Sequence, residues 1–173
     1  MKKIIFLEGL PGVGKTTIIN YLKDKFKVKI VNEIINDNLN DNRTKYFLEN
    51  DEMKYHLYDN GLIVIDRGFL STISYEQTKS IIDLNYDCHD AVRWFKKHKK
   101  IYSDSNVLVL YLKRISENYY WRYKDELDPY GSINNQKLLE SITLFNLKKY
   151  SSNYKIIDYS YENMMEIINE IIS

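Results

Sequence analysis

The chain has few of the features that mark a secreted, a membrane-bound or a polyanion-binding protein. Its single cysteine, Cys88, excludes an internal disulfide framework and is typical of a reducing compartment, so we expect a cytoplasmic protein. The formal net charge is only +1, which favours neither nucleic acid nor an anionic membrane as a partner. No hydrophobic run is long enough to span a bilayer. We expect no signal peptide, because Glu8 interrupts the short apolar run at residues 4–7.

Proline and glycine are also scarce, and their positions are informative. The chain has two prolines and six glycines, with no linker rich in either, so we predict one domain over residues 1–173. Three of the glycines lie in one segment, Gly9-Leu10-Pro11-Gly12-Val13-Gly14-Lys15-Thr16. This segment matches the whole phosphate-binding loop pattern G-x-x-x-x-G-K-[ST].

The residues on either side of this loop support a phosphate-binding role. A buried strand is predicted before it and a helix after it, whereas a chance match in a glycine-rich turn would lack both. We expect the loop amides, the helix N-terminus and Lys15 to bind the phosphates of ATP, and the Thr16 hydroxyl to ligate Mg²⁺. The predicted nucleotide-binding residues are Gly9, Gly12, Val13, Gly14, Lys15, Thr16, Thr17 and Arg114.

Apolar runs alternate with helical patterns along the chain. Strands are predicted at 3–8, 28–32, 62–65, 107–112 and 154–157, and helices at 15–25, 43–58, 70–84, 88–100, 117–127, 133–150 and 161–171. Continuously apolar strands separated by helices indicate a parallel sheet that is covered on both faces. We therefore predict an α/β, three-layer fold of the P-loop NTPase class, with a five-stranded parallel sheet flanked by helices.

Charged residues follow three of the predicted strands. Glu33 comes after the second, Asp66-Arg67 ends the third, and Lys113-Arg114 ends the fourth. Because ligands of parallel sheets bind at the carboxyl ends of the strands, these residues should lie at the same edge as the phosphate loop. Asp66 is therefore a candidate Mg²⁺ ligand, and Arg67 is a candidate cation for a phosphate or an acceptor oxygen. The alternative is an ordinary surface pair.

The segment that starts at Asp66 resembles thymidylate kinases. It reads Asp66-Arg67-Gly68-Phe69-Leu70-Ser71 with Tyr75, and their pattern is Asp-Arg-Tyr-x-x-Ser-x-x-Ala-Tyr-Gln. Gly68, Ser74 and Glu76 depart from that pattern. The start of the chain, at residues 6–9 and 14–17, and the segment at 156–160 are also similar to this family and to the deoxynucleoside kinases.

This resemblance implies both a topology and a reaction. It implies the strand order 2-3-1-4-5 and transfer of the γ-phosphoryl group of ATP·Mg²⁺ to a nucleotide or nucleoside. It gives catalytic roles to Lys15, Asp66 and Arg67, and acceptor-binding roles to Arg67, Ser71 and Tyr75. Phe47 is a further candidate for the acceptor pocket, with packing in the core as the alternative.

Glu33 bears on the identity of the acceptor. A glutamate at the end of the second strand is similar to the base that accepts the 5′-hydroxyl proton in deoxynucleoside kinases, and a hydroxyl acceptor needs such a base. A monophosphate acceptor is already an anion and needs cations instead. A solvent-facing or helix-capping glutamate is the third reading. The more specific Asp-Arg-x-x-x-Ser match favours a monophosphate, and Glu33 keeps a nucleoside acceptor open.

Basic residues among aromatic ones at 113–126 resemble the lid of nucleotide kinases. We predict a small helical lid over about 114–135, in which Arg122 balances charge on the transferred phosphoryl group. The alternative is a solvated amphipathic helix in which Glu126 pairs with Arg122. The Asp128-Pro129-Tyr130 segment departs from the Asp-Arg often found at this position.

Taken together, these patterns predict a P-loop kinase that needs ATP and Mg²⁺ and acts on a small molecule. Three alternatives stay open, namely a kinase for a non-nucleotide acceptor, a regulatory NTPase and a nucleic-acid-end kinase. The regulatory class is disfavoured because the chain has no Asn-Lys-x-Asp guanine-binding motif. The identity of the acceptor and the oligomeric state, a homodimer included, are not determined by these patterns.

Overall fold

The computed structural model describes residues 2–35, 43–113, 127–158 and 161–172. The strands are β1 (Lys2–Glu8), β2 (Lys29–Val31), β3 (Gly61–Asp66), β4 (Val107–Lys113) and β5 (Tyr154–Asp158). The helices are α1 (Lys15–Lys25), α2 (Arg43–His56), α3 (Phe69–Ile82), α4 (His89–His98), α5 (Ile133–Tyr150) and α6 (Tyr161–Ile172), and a short 3-10 helix over Lys99–Ser103 follows α4.

The strands form one parallel sheet in the order β2-β3-β1-β4-β5, which confirms the predicted topology and fold class. β1 lies between β3 and β4, so that Leu7 pairs with Asp66 and Glu8 with Tyr111. The loop after β1 and the residues after β3 therefore leave the sheet side by side. This register positions the candidate site.

The core lies on both faces of the sheet, because successive side chains of a strand point to opposite faces. Ile4 and Phe6 of β1 belong to the layer that includes α3 and α4, whereas Ile5 and Leu7 belong to the layer that includes α1 and α6. All four side chains are buried. This explains why the strands read as continuously apolar runs rather than as alternating ones.

The element bounds differ from the predicted ones in a few places. β2 is shorter than predicted, and the helix predicted over 88–100 ends at His98. Its N-cap position is Cys88, although the Asp87 carboxylate still accepts a hydrogen bond from the His89 amide at 2.8 Å. α3 ends at Ile82, before the predicted bound. The helix predicted at 117–127 lies outside the described residues, except for Leu127.

The described helices include none that is both long and apolar enough to cross a membrane.

Candidate functional site

The phosphate loop gets its shape from three glycines with positive φ. Gly9, Gly12 and Gly14 have φ angles of 138°, 77° and 92°. A side chain at Gly9 would also collide with β4, because a Cβ atom there would lie 2.6 Å from the Leu112 carbonyl oxygen. The backbone curls tightly as a result, and α1 begins directly after Gly14. This is the loop-to-helix arrangement that binds phosphate through backbone amides and the helix N-terminus.

Lys15, in the first turn of α1, folds back over this loop. Its ammonium group donates hydrogen bonds to the carbonyl oxygens of Gly9 and Leu10, both at 3.0 Å, and the side chain is buried. Burial, followed by the positive charge of Arg67, lowers the pKa of Lys15 to about 7. Thr16 and Thr17 follow in the same turn and are exposed. The cation predicted to contact phosphate thus lies inside the curl of the loop.

Asp66 ends β3 next to this lysine. Its Oδ1 atom is buried and makes no hydrogen bond within the described residues. Burial raises the pKa of Asp66, while the charge of Lys15 acts in the opposite direction. An unsatisfied buried carboxylate oxygen is costly unless something else binds it. Since carboxylate oxygens are typical Mg²⁺ ligands, the unsatisfied Asp66 carboxylate fits that ion. The role predicted for Thr16 stays a prediction.

Arg67 is held between two elements that are distant in sequence. Its Nε atom lies 3.1 Å from Oε1 of Glu33, the glutamate that follows β2. This contact is an ion pair without hydrogen-bond geometry, and the Glu33 side chain stays 44% exposed. Its NH1 group donates a hydrogen bond to the Tyr130 hydroxyl at 2.9 Å. Burial would lower the pKa of Arg67, but Tyr130 and Glu33 raise it overall. The arginine therefore stays charged and couples the end of β2 to the segment before α5.

The backbone of Arg67 is also unusual, with a φ of 56°, the one positive φ of a residue other than glycine within the described ranges. Such a conformation costs about 1–3 kcal/mol and is found mainly at functional sites. The residue after Arg67 is Gly68, where thymidylate kinases have a tyrosine, and its neighbours leave no room for a side chain. A Cβ atom there would lie 2.6 Å from the Phe6 ring, and the Tyr102 hydroxyl, which accepts a hydrogen bond from the Leu70 amide, is 3.3 Å away.

Ser71 contacts a residue that the sequence analysis did not select. Its hydroxyl donates a very short hydrogen bond to Glu8, and the Gly68 amide donates another to the same carboxylate at 3.1 Å. Glu8 is fully buried at the end of β1, and burial raises its pKa to about 7. It joins the start of the phosphate loop to the turn after Arg67. The signal in the sequence that could have identified Glu8 as a site residue is an acidic side chain at the end of an apolar run.

Tyr75 lies one turn further along α3 and contacts the segment that follows the predicted lid. Its hydroxyl donates a hydrogen bond to Asp128 at 2.6 Å, and its ring centroid is 5.5 Å from that of Tyr130. Asp128 in turn accepts from the Tyr130 amide at 2.7 Å. Burial, followed by Asp128, raises the pKa of Tyr75. Arg67, Tyr75 and Tyr130 therefore form one continuous cluster.

Three other predicted site residues are not brought into this cluster by the described contacts. Phe47 is half-buried on α2, with its ring 5.3 Å from that of Tyr46. Arg114, Arg122 and most of the predicted lid lie outside the described residues. Their roles stay predictions.

A buried ion pair behind the strand ends is a second feature that the sequence analysis missed. Lys54 and Asp51 of α2 are 2.8 Å apart, and both are almost fully buried. The Lys54 ammonium group also lies 3.1, 3.4 and 3.0 Å from the carbonyl oxygens of Glu33, Asp66 and Arg67. A lysine three residues after an aspartate in a polar helix looks like a surface pair, so the sequence carried no signal for it.

No family model and no curated protein matches the chain by sequence. Solved structures do match it. The chain is similar to thymidylate kinase from Candida albicans, with a TM-score of 0.69, 17% identity, and coverage of 99% of this chain and 91% of that one. It is similar to deoxyadenosine kinase from M. mycoides with bound dATP, with a TM-score of 0.64, 18% identity, and coverage of 98% and 99%.

A thymidylate kinase from Ehrlichia chaffeensis gives a TM-score of 0.63 at 14% identity, with 98% of each chain covered. The similarity spans almost the full length of this chain and of all three proteins. The chain thus has the P-loop fold of nucleotide and nucleoside kinases, as the resemblance of its motifs implied.

Proposed function

We propose that this protein is a kinase that transfers the γ-phosphoryl group of ATP to a hydroxyl group of a nucleoside. The observation that carries the proposal is the ion pair between Glu33 and Arg67 at 3.1 Å. A carboxylate at this position can accept the proton of an attacking hydroxyl, while the positive charge of the neighbouring arginine attracts it toward the end of β3. A location in the cytoplasm and a possible homodimer stay predictions.

Each residue of the site can take one of the roles that phosphoryl transfer requires. Positioning and charge stabilisation supply most of the catalysis in this reaction. The loop amides and Lys15 would bind the β- and γ-phosphates, and Mg²⁺, when bound by Thr16 and Asp66, would neutralise phosphate charge. Glu33 would accept the acceptor proton, and Tyr75 and Ser71 would form the wall of the acceptor pocket.

A nucleoside monophosphate is the second candidate acceptor. It is favoured by the Asp66-Arg67-x-x-x-Ser71 pattern and by the Tyr130 hydroxyl at 2.9 Å from Arg67, since an acceptor phosphate could replace this neutral partner. Against it stands the charge of Glu33, which lies next to the only arginine of the described cluster and would repel a dianion. The geometry therefore shifts the preference from the monophosphate to the nucleoside.

Glu33→Gln separates the two acceptors. The glutamine keeps the size and a hydrogen-bonding oxygen but cannot act as a base, so kcat with a nucleoside should fall by roughly 10²-fold or more while KM changes little. With a monophosphate, removal of the negative charge should instead lower KM. A thermal-shift screen of nucleosides and monophosphates with a non-hydrolysable ATP analogue selects the acceptor first. If no acceptor accelerates phosphate transfer by the wild type, the proposal is wrong.

A further inference from the structure

The Lys54–Asp51 pair is not needed for any step proposed above, yet it lies directly behind the residues that would carry those steps. Both side chains are nearly inaccessible, with exposed fractions of 2% and 3%. A charged pair in such a place is costly to bury and adds little net stability compared with apolar side chains. The positions of its contacts offer another reason for its presence.

The contacts of Lys54 converge on the ends of two strands. Its ammonium group bridges the carbonyl oxygen of Glu33 after β2 to those of Asp66 and Arg67 after β3. β2 and β3 pair only through Lys29 to Val31, so the sheet itself does not hold Glu33. One cation therefore joins the main chain of the candidate base to the main chain of the candidate metal and acceptor ligands.

Neighbouring residues of α2 hold the same loop and orient the cation. Asn50 donates a hydrogen bond to the Glu33 carbonyl oxygen at 2.8 Å and accepts one from the Ile35 amide at 3.0 Å. Asp51 accepts from the Thr72 hydroxyl of α3 at 2.5 Å. The Asp51 carboxylate thus holds the Lys54 ammonium group and is itself hydrogen-bonded to α3.

We propose that Lys54 is a positioning residue, which holds the main chain of Glu33 against that of Asp66 and Arg67 so that acceptor and ATP meet in a reactive geometry. Asp51, at 2.8 Å, holds the ammonium group in place. The expected effect on the rate rests on the proposed function, whereas the expected effect on the main chain of Glu33, Asp66 and Arg67 does not. Misplacement of reacting groups by about 1 Å can cost roughly 10²-fold in rate.

Two variants separate positioning from stability. Lys54→Met removes the cation but leaves the Asp51 carboxylate buried without its partner, so the protein should be strongly destabilised. The double variant Asp51→Asn/Lys54→Met removes both charges at similar volume and should recover most of that stability. Positioning should not recover, because the carbonyl oxygens of Glu33 and Arg67 still lack their common donor.

Asn146→Ala serves as the matched control. Asn146 is buried and donates hydrogen bonds to Ser74 at 2.9 Å and Gln77 at 2.8 Å, which join α5 to α3 away from the strand ends. Its loss should lower the unfolding midpoint through unsatisfied buried groups. It should leave the positions of Glu33, Asp66 and Arg67 unchanged.

The first readout is the ratio of acceptor phosphorylation to ATP hydrolysis without acceptor, because a fraction of inactive protein lowers both rates equally. In the double variant this ratio should fall by roughly 10²-fold. In Asn146→Ala it should stay within about threefold of the wild type. A ratio that is unchanged in the double variant, or that falls equally in the control, would overturn the proposal.

The second readout does not depend on activity. Amide hydrogen exchange at residues 33–35 and 66–68 should be at least about tenfold faster in the double variant than in the wild type or in Asn146→Ala. Unchanged exchange at both segments would also overturn the proposal. If the wild type transfers phosphate to no acceptor but exchange increases as expected, the proposed function fails and the positioning role of Lys54 stands.

Discussion

The two halves of the candidate site are built in different ways. On the nucleotide side, the backbone of one continuous segment makes the site, and its glycines give it a shape that few other residues allow. On the acceptor side, Glu33, Arg67 and Tyr130 come from three separate parts of the chain and are held by partly buried polar contacts. Local backbone geometry leaves a motif in the sequence, whereas a network of tertiary contacts does not.

The nucleotide half should be the more sensitive to loss of one charge. Lys15→Ala should reduce kcat by roughly 10³-fold, about 4 kcal/mol, because a fixed cation at the phosphates is lost. The fold should remain, since the hydrogen bonds of the Lys15 ammonium group within the described residues go to two loop carbonyl groups, at 3.0 Å each. Steady-state kinetics together with circular dichroism test this. Activity near that of the wild type would contradict the phosphate-loop role.

Glu8 joins the two halves, and its protonation should be visible in stability. Its folded pKa of about 7 lies above the usual glutamate pKa of 4.5, so the folded state binds more protons between these pH values. The contribution of Glu8 is therefore present at low pH and lost as the pH rises through about 7. In Glu8→Gln, the decline in unfolding free energy between pH 4.5 and 7.5 should be smaller, by up to about 3 kcal/mol.

Denaturant titrations of the wild type and Glu8→Gln at several pH values measure this difference directly, and subtraction cancels the other titrating groups. Parallel pH profiles for the two proteins would show that the carboxylate is not perturbed. Ser71→Ala, which removes one donor to the same carboxylate, is a control expected to keep the wild-type slope or steepen it.

A substitution at Gly68 tests whether the acceptor half needs the close contact between this backbone and the Phe6 ring. In the motif comparison, Gly68 is a mismatch. Gly68→Ala places a methyl group against the Phe6 ring, at 2.6 Å before relaxation. Overpacking of this kind costs about 1–3 kcal/mol in unfolding free energy. Urea denaturation measures it. Gly61→Ala is a contrasting variant, because a Cβ atom there meets only the flexible Lys29 side chain and any cost comes from its φ of 86°.

Tyr130→Phe should have the smallest effect. The change removes the hydroxyl that accepts a hydrogen bond from Arg67 and keeps the ring that packs on Tyr75. Hydrogen bonds to charged groups contribute about 1.5–3 kcal/mol. We expect an effect at or below the lower end of that range, because this contact is only part-buried and water can replace the hydroxyl. We expect KM for the acceptor to change by less than about tenfold, with kcat nearly constant. A large fall in kcat would instead place Tyr130 among the reacting groups.

The sequence predicted the framework of this molecule well and its acceptor site in part. The parallel sheet and its order followed from apolar runs and a motif resemblance, and the phosphate loop followed from spacing alone. The sequence also placed Glu33, Asp66 and Arg67 at one edge, because strand ends in a parallel sheet share an edge. Their functional roles are not decided by that placement.

What the sequence could not show is how those residues are supported. Glu8 only interrupts an apolar run in the sequence, and nothing in the sequence around Lys54 marks it as buried. Burial of a charge depends on contacts between elements rather than on periodicity. Gly68 looked like a departure from a pattern, although the Phe6 ring requires it. Such residues become visible only when distant segments are placed against one another.

The central position of β1 has a consequence for the order in which the molecule assembles. Its partners β3 and β4 lie far along the chain, and parallel pairing requires long crossover connections rather than a tight hairpin. The entropy of closing these connections is lost before the contacts that compensate for it can form, which is typical of slow, nonlocal folding. The phosphate loop therefore meets Asp66 only when the middle of the sheet closes. Competence to bind nucleotide should arise together with the completed core rather than in an early local unit.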